Sequence, residues 1–181
     1  MVNKVDGRTS RGQENKRQIV QALIALIQDG DYSPTAEAVS ARAGVALRTV
    51  FRHFKDMETL YREIAGEVDN IVAPVLLTPF KGKTWEEKVL EAVDRRADMF
   101  ENLAQIQTAT LIHRHESPFL QQQHARAVEL QRTLLKAFLP KQVVQNKVLF
   151  ESLDLCLSFE SWLRLRKDQK LSKATAKKVM Q

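Results

Sequence analysis

Apolar residues recur at three- and four-residue steps along nearly the whole chain, which is the spacing of one face of an α-helix. The segment KRQIVQALIALIQDG shows this pattern in the stripe Ile19, Leu23, Leu26 and Ile27. It predicts a first helix that begins near Asn15 and ends at Gly30, because glycine favours helix ends. Strand signals are weak, since β-branched runs and two-residue hairpin turns are scarce. The sequence therefore predicts an all-α fold.

The segment SPTAEAVSARAGVALRTVFRHF interrupts the helical pattern at a glycine and resumes it at once. Ser33 is placed to cap a short helix, Pro34 suits the first position of that helix, and Gly44 ends it. A second short helix is predicted for about residues 46–53. Two short helices joined by a four-residue turn that contains glycine form a helix-turn-helix unit, whose second helix fits the DNA major groove.

The second short helix has an apolar side and a cationic side. Val45, Val50 and Phe54 are expected to face the neighbouring helices. The outer side is predicted to carry Leu47, Arg48, Thr49 and Arg52, with His53 and Lys55 close by. Arginine binds guanine edges, threonine contacts a base or a thymine methyl group, and cations bind phosphates. The alternative is a plain helical hairpin with a solvated basic face.

Charge is distributed unevenly along the 181 residues, whose net charge is +6. Residues 1–55 contain nine Lys and Arg against five Asp and Glu, and residues 161–181 contain seven against one. The middle of the chain is acidic, with twelve basic residues against sixteen acidic ones. A basic surface near the helix-turn-helix unit is compatible with a nucleic-acid partner.

Further helices are predicted after this unit. One begins at the cap Asp56 and should kink or end at Pro74. The next begins at a capping box formed by Thr84 and Glu87, and a separate shorter helix, QIQTATLIHRHESP, follows it. The remaining predicted helices are FLQQQHARAVELQRTLLKAFLP, the very apolar Gln142–Arg166, and a last one that begins near Ser172.

These motifs resemble the TetR family of transcriptional regulators. The similarity covers about residues 15–65 and includes IVQALIALI and SPTAEAVSARAGVALRTVFRHFKDMETLYREI. It implies an N-terminal three-helix helix-turn-helix DNA-binding domain followed by a C-terminal helical ligand-binding and dimerisation domain. The domains expected from it are a basic flexible arm over residues 1–14, the DNA-binding domain over 15–55, and the effector and dimerisation domain over 56–181.

The resemblance also implies roles for single residues. Thr35 falls at the family's phosphate contact, and Leu47, Arg48 and Thr49 fall where its members touch bases. The chain departs from the family pattern at three positions. Ala46 replaces a common serine cap, Phe51 replaces a frequent tyrosine, and Met57 replaces a usual lysine. The full set of predicted DNA-binding residues is Thr35, Ala46, Leu47, Arg48, Thr49, Phe51, Arg52, His53 and Lys55.

A basic arm precedes the first predicted helix core and contains Arg8, Ser10, Arg11, Lys16 and Arg17. Two interpretations are open: a solvated, disordered tail, or an arm that enters the minor groove of DNA. The first is favoured, because basic tails are common and arginine insertion requires a narrow groove.

The larger C-terminal part is expected to form a homodimer and to bind an effector. One helix-turn-helix unit reads only a few base pairs, so a palindromic site read by two copies is expected. The helix Gln142–Arg166 is apolar around more than one face and so needs cover from a partner, whereas the last helix spans only about two to three turns. The candidate ligand-binding residues are Met99, Phe100, Leu103, Ile106, Phe119 and Trp162, although side chains at this spacing are more often plain core.

Enzymatic chemistry is not expected, since the sequence has no catalytic signature, phosphate-binding glycine loop or metal-ligand cluster, and no cofactor is predicted. His113, His115 and Glu116 are predicted to form a solvated turn, not a metal site. The single cysteine, Cys156, is predicted to be a buried small hydrophobic residue. A cytoplasmic location is expected, because no apolar run resembles a signal peptide or a membrane span.

The resulting hypothesis is a ligand-responsive transcriptional regulator that binds a palindromic operator as a homodimer and is released by a small-molecule effector, with repression favoured over activation. The alternative is a helical protein-interaction module of the same fold that does not bind specific DNA.

Overall fold

The structure is a computed structural model that describes the backbone of residues 7–181 and the side chains from residue 11 onward. Within this part of the chain all regular elements are helical, which confirms the all-α prediction. The helices are α1 (Gly7–Gln28), α2 (Ala36–Ala43), α3 (Leu47–His53), α4 (Met57–Leu77), α5 (Trp85–His113), α6 (Pro118–Phe138), α7 (Lys141–Gln145), α8 (Lys147–Cys156), α9 (Phe159–Leu163) and α10 (Lys173–Met180), with a π-helical turn at Arg164–Asp168.

The chain divides into two compact units. The first unit contains the described residues up to Asp69 together with Gln105–Leu120, and the second contains Asn70–Ala104 and Gln121–Gln181. This division differs from the expected domain boundary between residues 55 and 56. The first turns of α4 belong to the first unit because Leu60 and Ile64 are buried in its core.

The core of the first unit is built from the apolar stripes of α1, α2 and α3. Its buried residues include Ile19, Leu23 and Ile27 of α1, Val39 of α2, and Val50 and Phe54 at α3. Helix α1 begins at Gly7, eight residues before the predicted start near Asn15. The added turns are polar, so the apolar spacing that defined the predicted start contains no signal for them.

Two cations of the predicted basic arm lie within α1 and pair with acids. Arg17 donates to Glu14 at 2.8 Å and Lys16 lies 2.8 Å from Glu63 of α4. Residues 1–6 of the predicted flexible arm lie outside the described residues, as do the side chains of Arg8 and Ser10. Residues 7–14 are the first turns of α1.

Helix starts are fixed by side-chain caps, and one differs from the prediction. The N-cap of α2 is Thr35, whose Oγ1 accepts from the Ala38 N–H at 3.2 Å, and not Ser33. The predicted cap Asp56 does accept the Thr59 N–H, at 2.8 Å. An N-cap is the residue whose side-chain oxygen accepts from a backbone N–H two or three positions further on. Ser33 and Thr35 both carry a hydroxyl group, so the sequence alone could not distinguish them.

The capping box at the start of α5 is confirmed in both directions. Thr84 Oγ1 accepts from the Glu87 N–H at 3.2 Å, and Glu87 Oε2 accepts from the Thr84 N–H at 3.3 Å. Helix α5 then continues without a break to His113, so the separate helix predicted for QIQTATLIHRHESP is its second half. Helix α4 likewise passes Pro74 and ends at Leu77.

The predicted single helix Gln142–Arg166 was wrong, because capping side chains divide it into α7, α8, α9 and the π-helical turn. Asn146 Oδ1 accepts from the Leu149 N–H at 3.1 Å, and Ser158 Oγ accepts from the Ser161 N–H at 3.1 Å. Each residue offers its own oxygen to the backbone and starts a new helix there. The buried guanidinium of Arg96 donates at 2.8 Å to the carbonyl oxygen of Leu157, at the break before α9.

Helix α8 buries only part of its apolar surface. Phe150 is buried, whereas Val148 and Leu155 are 78% and 64% exposed. Cys156 is exposed as well, which corrects the prediction that it is a buried small hydrophobic residue. The residues next to Cys156 in the sequence are apolar, which suggested burial. Cys156 nevertheless lies on the exposed side of α8.

Candidate nucleic-acid interface

The turn between α2 and α3 is held by backbone conformation and by one buried hydroxyl. Gly44 has φ 65° and ψ 28°, in the left-handed region that glycine adopts without strain. The Val45 N–H donates to the Ser40 carbonyl oxygen at 3.2 Å, and Ser40 Oγ donates to the Val45 carbonyl oxygen at 2.8 Å. The predicted turn is therefore closed by two reciprocal bonds. Ser40 was not predicted, since a serine within a helix of small residues gives no signal of its own.

Helix α3 turns its apolar residues inward and its cations outward. Val50 is buried on the helix and Phe54 immediately after it. Arg48 and Arg52 are exposed, while Leu47 and Thr49 are half-buried. Ala46 precedes the helix without a side-chain cap, and the Thr49 N–H donates to its carbonyl oxygen at 2.7 Å.

The cations at this surface are available for an anionic partner. Arg48, Arg52 and Lys55 are all exposed, and none of them forms an ion pair with another residue in the described part of the chain. Other cations of the same unit differ, since Lys16 and Arg42 pair with acids at 2.8 Å. The interface side therefore has unneutralised charge, which a phosphate backbone would complement.

Thr35 lies at the N-terminus of α2, where the first amide groups of the helix have no intrahelical acceptor. Its side chain is exposed, and its oxygen accepts from the Ala38 N–H. A hydroxyl group can accept one bond and still donate another. Thr35 is therefore able to cap α2 and donate to a phosphate at the same time.

Phe51 is the largest apolar side chain exposed on α3, with 54% of its surface accessible. It occupies the position at which the family resemblance places a tyrosine. A phenyl ring has no hydroxyl group to donate to a phosphate, so its contribution to an interface is limited to apolar contact.

His53 does not fit the phosphate contact predicted for it. Its Nε2 is buried and has no hydrogen-bond partner within the described residues, and its ring lies beside Gly12 of α1. Burial lowers the pKa of His53, with further contributions from the charges of Arg52 and Lys16. The lowered pKa favours the neutral imidazole, and the buried Nε2 is not accessible to a phosphate.

His113, predicted in a solvated turn, instead joins α5 to the loop before α2. Its Nε2 lies 2.7 Å from the Tyr32 carbonyl oxygen and 3.0 Å from Ser33 Oγ. The ring of Tyr61 stacks on it at 5.8 Å, and Tyr32 Oη donates to Gln105. Most of these contacts join residues that are far apart in the sequence, so no local pattern could have predicted them.

The group Ser33, His113 and Glu116 has the order of a catalytic triad but not its chemistry. A carbonyl oxygen only accepts hydrogen bonds, so the Nε2 that faces Tyr32 must be protonated and is not a base for Ser33. Glu116 Oε2 lies 4.0 Å from Nδ1, beyond a hydrogen bond. Among the residues described, no group of three or more His, Cys, Asp or Glu could hold a metal ion.

The candidate ligand-binding residues are distributed over both units. In the second unit Met99, Phe100, Leu103 and Trp162 are buried, and Trp162 Nε1 donates to Glu101 Oε1 at 3.0 Å. In the first unit Ile106 is buried, and Phe119 is half-buried beneath the guanidinium of Arg62, 4.3 Å from its ring centre.

Comparison with known proteins identifies the N-terminal region. Residues 19–64 match the N-terminal domain of the family described as bacterial regulatory proteins, tetR family. No curated protein and no solved structure matches the chain. In the described part, no helix is both long enough and apolar enough to cross a membrane. The matched residues contain the turn at Gly44, the exposed cations of α3 and the capped start of α2, so this region is similar to the DNA-binding domain of TetR-family transcription regulators.

Proposed function

We propose that this regulator is a ligand-responsive repressor that binds a palindromic operator as a homodimer and is released by a small-molecule effector. The observation that carries the proposal is the exposed cationic side of α3, which is unpaired among the described residues and lies next to the N-terminal amide groups of α2. Because an operator is chromosomal DNA, we place the protein in the cytoplasm, and we assign it no enzymatic activity.

Base recognition is assigned to the first turn of α3. Arg48 is exposed and long enough to bind a guanine edge through two hydrogen bonds, and Thr49 offers a hydroxyl and a methyl group. Leu47 supplies apolar contact, and the short side chain of Ala46 allows the helix end to approach the groove. Sequence preference is therefore expected to depend chiefly on Arg48.

Backbone contacts are assigned to the residues around this turn. Thr35 and the amide groups of α2 form one phosphate contact, while Arg52 and Lys55 form others. Phe51 packs against the sugar-phosphate backbone without a hydrogen bond. His53 is left out of this set, because its Nε2 is buried against α1.

The dimer is proposed to form through the exposed apolar residues of the second unit. Val148 and Leu155 of α8 and Val179 of α10 are among the most exposed large apolar side chains of the chain. A helix that is apolar on more than one face is stable in water only if each apolar face is covered. A second copy would cover them and would place two α3 helices on one palindromic site.

The effector is proposed to bind in the second unit, among Met99, Phe100, Leu103 and Trp162. Helix α5 contains Met99 and also His113, whose ring bonds to the loop before α2. We propose that effector binding shifts α5 and, through it, the spacing of the two α3 helices. Such coupling changes operator affinity without contact between effector and DNA.

The test is fluorescence anisotropy of the full chain with DNA from upstream of its own gene, titrated against unrelated competitor DNA over a series of salt concentrations. Competitor-resistant binding with a steep salt slope is expected. In Arg48→Ala, affinity should fall by about 1–3 kcal/mol per half-site, and discrimination against competitor should fall with it. Arg126→Ala is the matched control, since it removes one exposed cation from α6.

Two results would contradict the proposal. Unchanged discrimination in Arg48→Ala would remove the base contact from that residue. Absence of salt-dependent DNA binding would instead favour a helical protein-interaction module of the same fold.

A further inference from the structure

An apolar pocket lies in the first unit between the start of α2, helix α3 and the start of α4. It has a volume of about 230 Å³. Its walls include Thr35, Ala36, Val39, Phe51, Met57 and Leu60. We call it the α2–α4 pocket. It belongs to the DNA-binding unit and is separate from the buried aromatic residues proposed to bind the effector.

Two departures from the family pattern meet in this pocket. Phe51 stands where a tyrosine is frequent and Met57 where a lysine is usual, and both line the same cavity beside Thr35. A hydroxyl and an ammonium group are thereby replaced by a phenyl ring and a thioether. The surface next to the proposed phosphate contact is therefore apolar in this chain.

The two polar side chains of the pocket are already engaged by the helices they cap. Thr35 Oγ1 accepts from the Ala38 N–H at 3.2 Å, and Asp56 Oδ1 accepts from Thr59 N–H and Oγ1–H at 2.8 and 2.7 Å. The Asp56 carboxylate disfavours a bound anion, while the positive end of the α2 dipole disfavours a bound cation. The lining thus favours a neutral, apolar occupant.

The volume limits the size of that occupant. A cavity of about 150 Å³ accommodates benzene, and pockets for drug-sized molecules span roughly 300–1,000 Å³. The α2–α4 pocket lies between these values. It therefore fits a molecule of about two fused rings.

We propose that the α2–α4 pocket is a second ligand site that binds small, neutral, bicyclic aromatic molecules, and that its occupancy competes with operator DNA at Thr35. The competition rests on the proposed phosphate contact of Thr35, whereas binding of the ligand does not. A bound ring between Thr35 and Phe51 occupies the space that the DNA backbone needs at the start of α2.

The four methionines of the chain provide a direct test. Met57 lines the α2–α4 pocket and Met99 lies in the proposed effector site, while Met180 is buried in α10. The full chain labelled with ¹³C at the methionine methyl groups is titrated with indole, a neutral bicyclic probe. The Met57 methyl signal, assigned from its loss in Met57→Leu, should shift saturably, and the signals of Met99 and Met180 should not.

A blocking variant and its control make the site assignment specific. Ala36→Leu places a larger side chain in the wall of the pocket and should abolish the Met57 shift, whereas Ala41→Leu enlarges a residue of α2 outside the lining and should preserve it. At an indole concentration ten times its dissociation constant, operator affinity should fall about tenfold per half-site in the parent chain and in Ala41→Leu. Met57→Lys should also lose the effect of indole on operator binding.

Each contrary result has a distinct meaning. No Met57 shift, or a shift that persists in Ala36→Leu, overturns the ligand site. A shift of Met99 alone overturns it too, and leaves the proposed effector site standing. A Met57 shift on addition of operator but not of indole assigns the pocket to the DNA backbone. A Met57 shift with unchanged operator affinity refutes the competition, and a chain that binds no operator at all refutes the proposed function instead.

Discussion

Replacement of Gly44 by alanine tests the geometry of the turn on which the interface depends. Gly44 has φ 65°, and a Cβ atom added to it would meet no atom within 4 Å, so the cost of the substitution is conformational and not steric. A non-glycine residue in the left-handed region costs roughly 1–2 kcal/mol. The reduced freedom of the unfolded chain returns about 0.4–1 kcal/mol. The net expectation is a loss of about 1 kcal/mol in the free energy of unfolding.

Gly66 provides a matched control within the same unit. It lies inside α4 with ordinary helical backbone, and a Cβ there also meets no atom within 4 Å. Alanine is favoured over glycine in a helix interior by about 0.5–1 kcal/mol, so Gly66→Ala should stabilise the protein. The same chemical change at Gly44 and Gly66 is therefore expected to have opposite signs, which separates backbone conformation from any general effect of an added methyl group.

The assay is urea unfolding followed by far-ultraviolet circular dichroism, with thermal unfolding as a second measurement. For a chain of this size, about 1 kcal/mol corresponds to a shift of about 2–4 °C in Tm. Gly44→Ala should unfold below the parent chain and Gly66→Ala above it. Equal stability of the two variants, or a gain in Gly44→Ala, would refute the left-handed turn and with it the placement of α3.

Three further changes have expected outcomes. Leu155→Asp places a charge on the exposed apolar face of α8 and should convert a dimer to monomer in sedimentation equilibrium, with helix content unchanged. A variant that stays dimeric would exclude this face of α8 as the dimer interface. Arg96 is 7% exposed, so Arg96→Met should leave the Leu157 carbonyl without its donor and cost about 1–3 kcal/mol in urea unfolding; an unchanged midpoint would show that water replaces the bond. Glu101 accepts a hydrogen bond from Arg166, and with help from Trp162 this bond lowers the pKa of Glu101 below its ordinary value of 4.5. The stability that ionised Glu101 adds to the fold is therefore present above pH 4.5 and is lost as the pH falls through the lowered pKa. Glu101→Gln should flatten this part of the profile of unfolding free energy against pH, and an identical profile would assign the acid sensitivity to other carboxylates.

The sequence was most informative where one local pattern determines one local structure. The turn at Gly44 follows from a glycine between two short apolar stripes, and the start of α5 follows from the reciprocal spacing of Thr84 and Glu87. In these places the interacting atoms are within a few residues of one another. The class of fold, the helix-turn-helix unit and its apolar and cationic sides could be predicted for the same reason.

The predictions that were wrong concern features that apolar spacing does not encode. The start of α1 at Gly7 lies in polar turns, and the division of the segment after Gln142 depends on whether Asn146 and Ser158 point to solvent or to a backbone N–H. Exposure of Cys156 depends on which side of α8 meets the core. A stripe of apolar residues shows that a face needs cover, but it does not identify the surface that covers it.

The bond from His113 to the loop before α2 ends on a main-chain oxygen, and this has a consequence for how the loop can evolve. Every amino acid at position 32 supplies the same carbonyl group, so mutations there preserve this acceptor as long as the loop keeps its path. Paired substitutions reveal contacts only when the side chains at both ends must change together. Histidine should therefore be retained at position 113 whatever residue occupies position 32. Correlated sequence variation would not detect this contact, although the contact ties the end of α5 to the loop before α2.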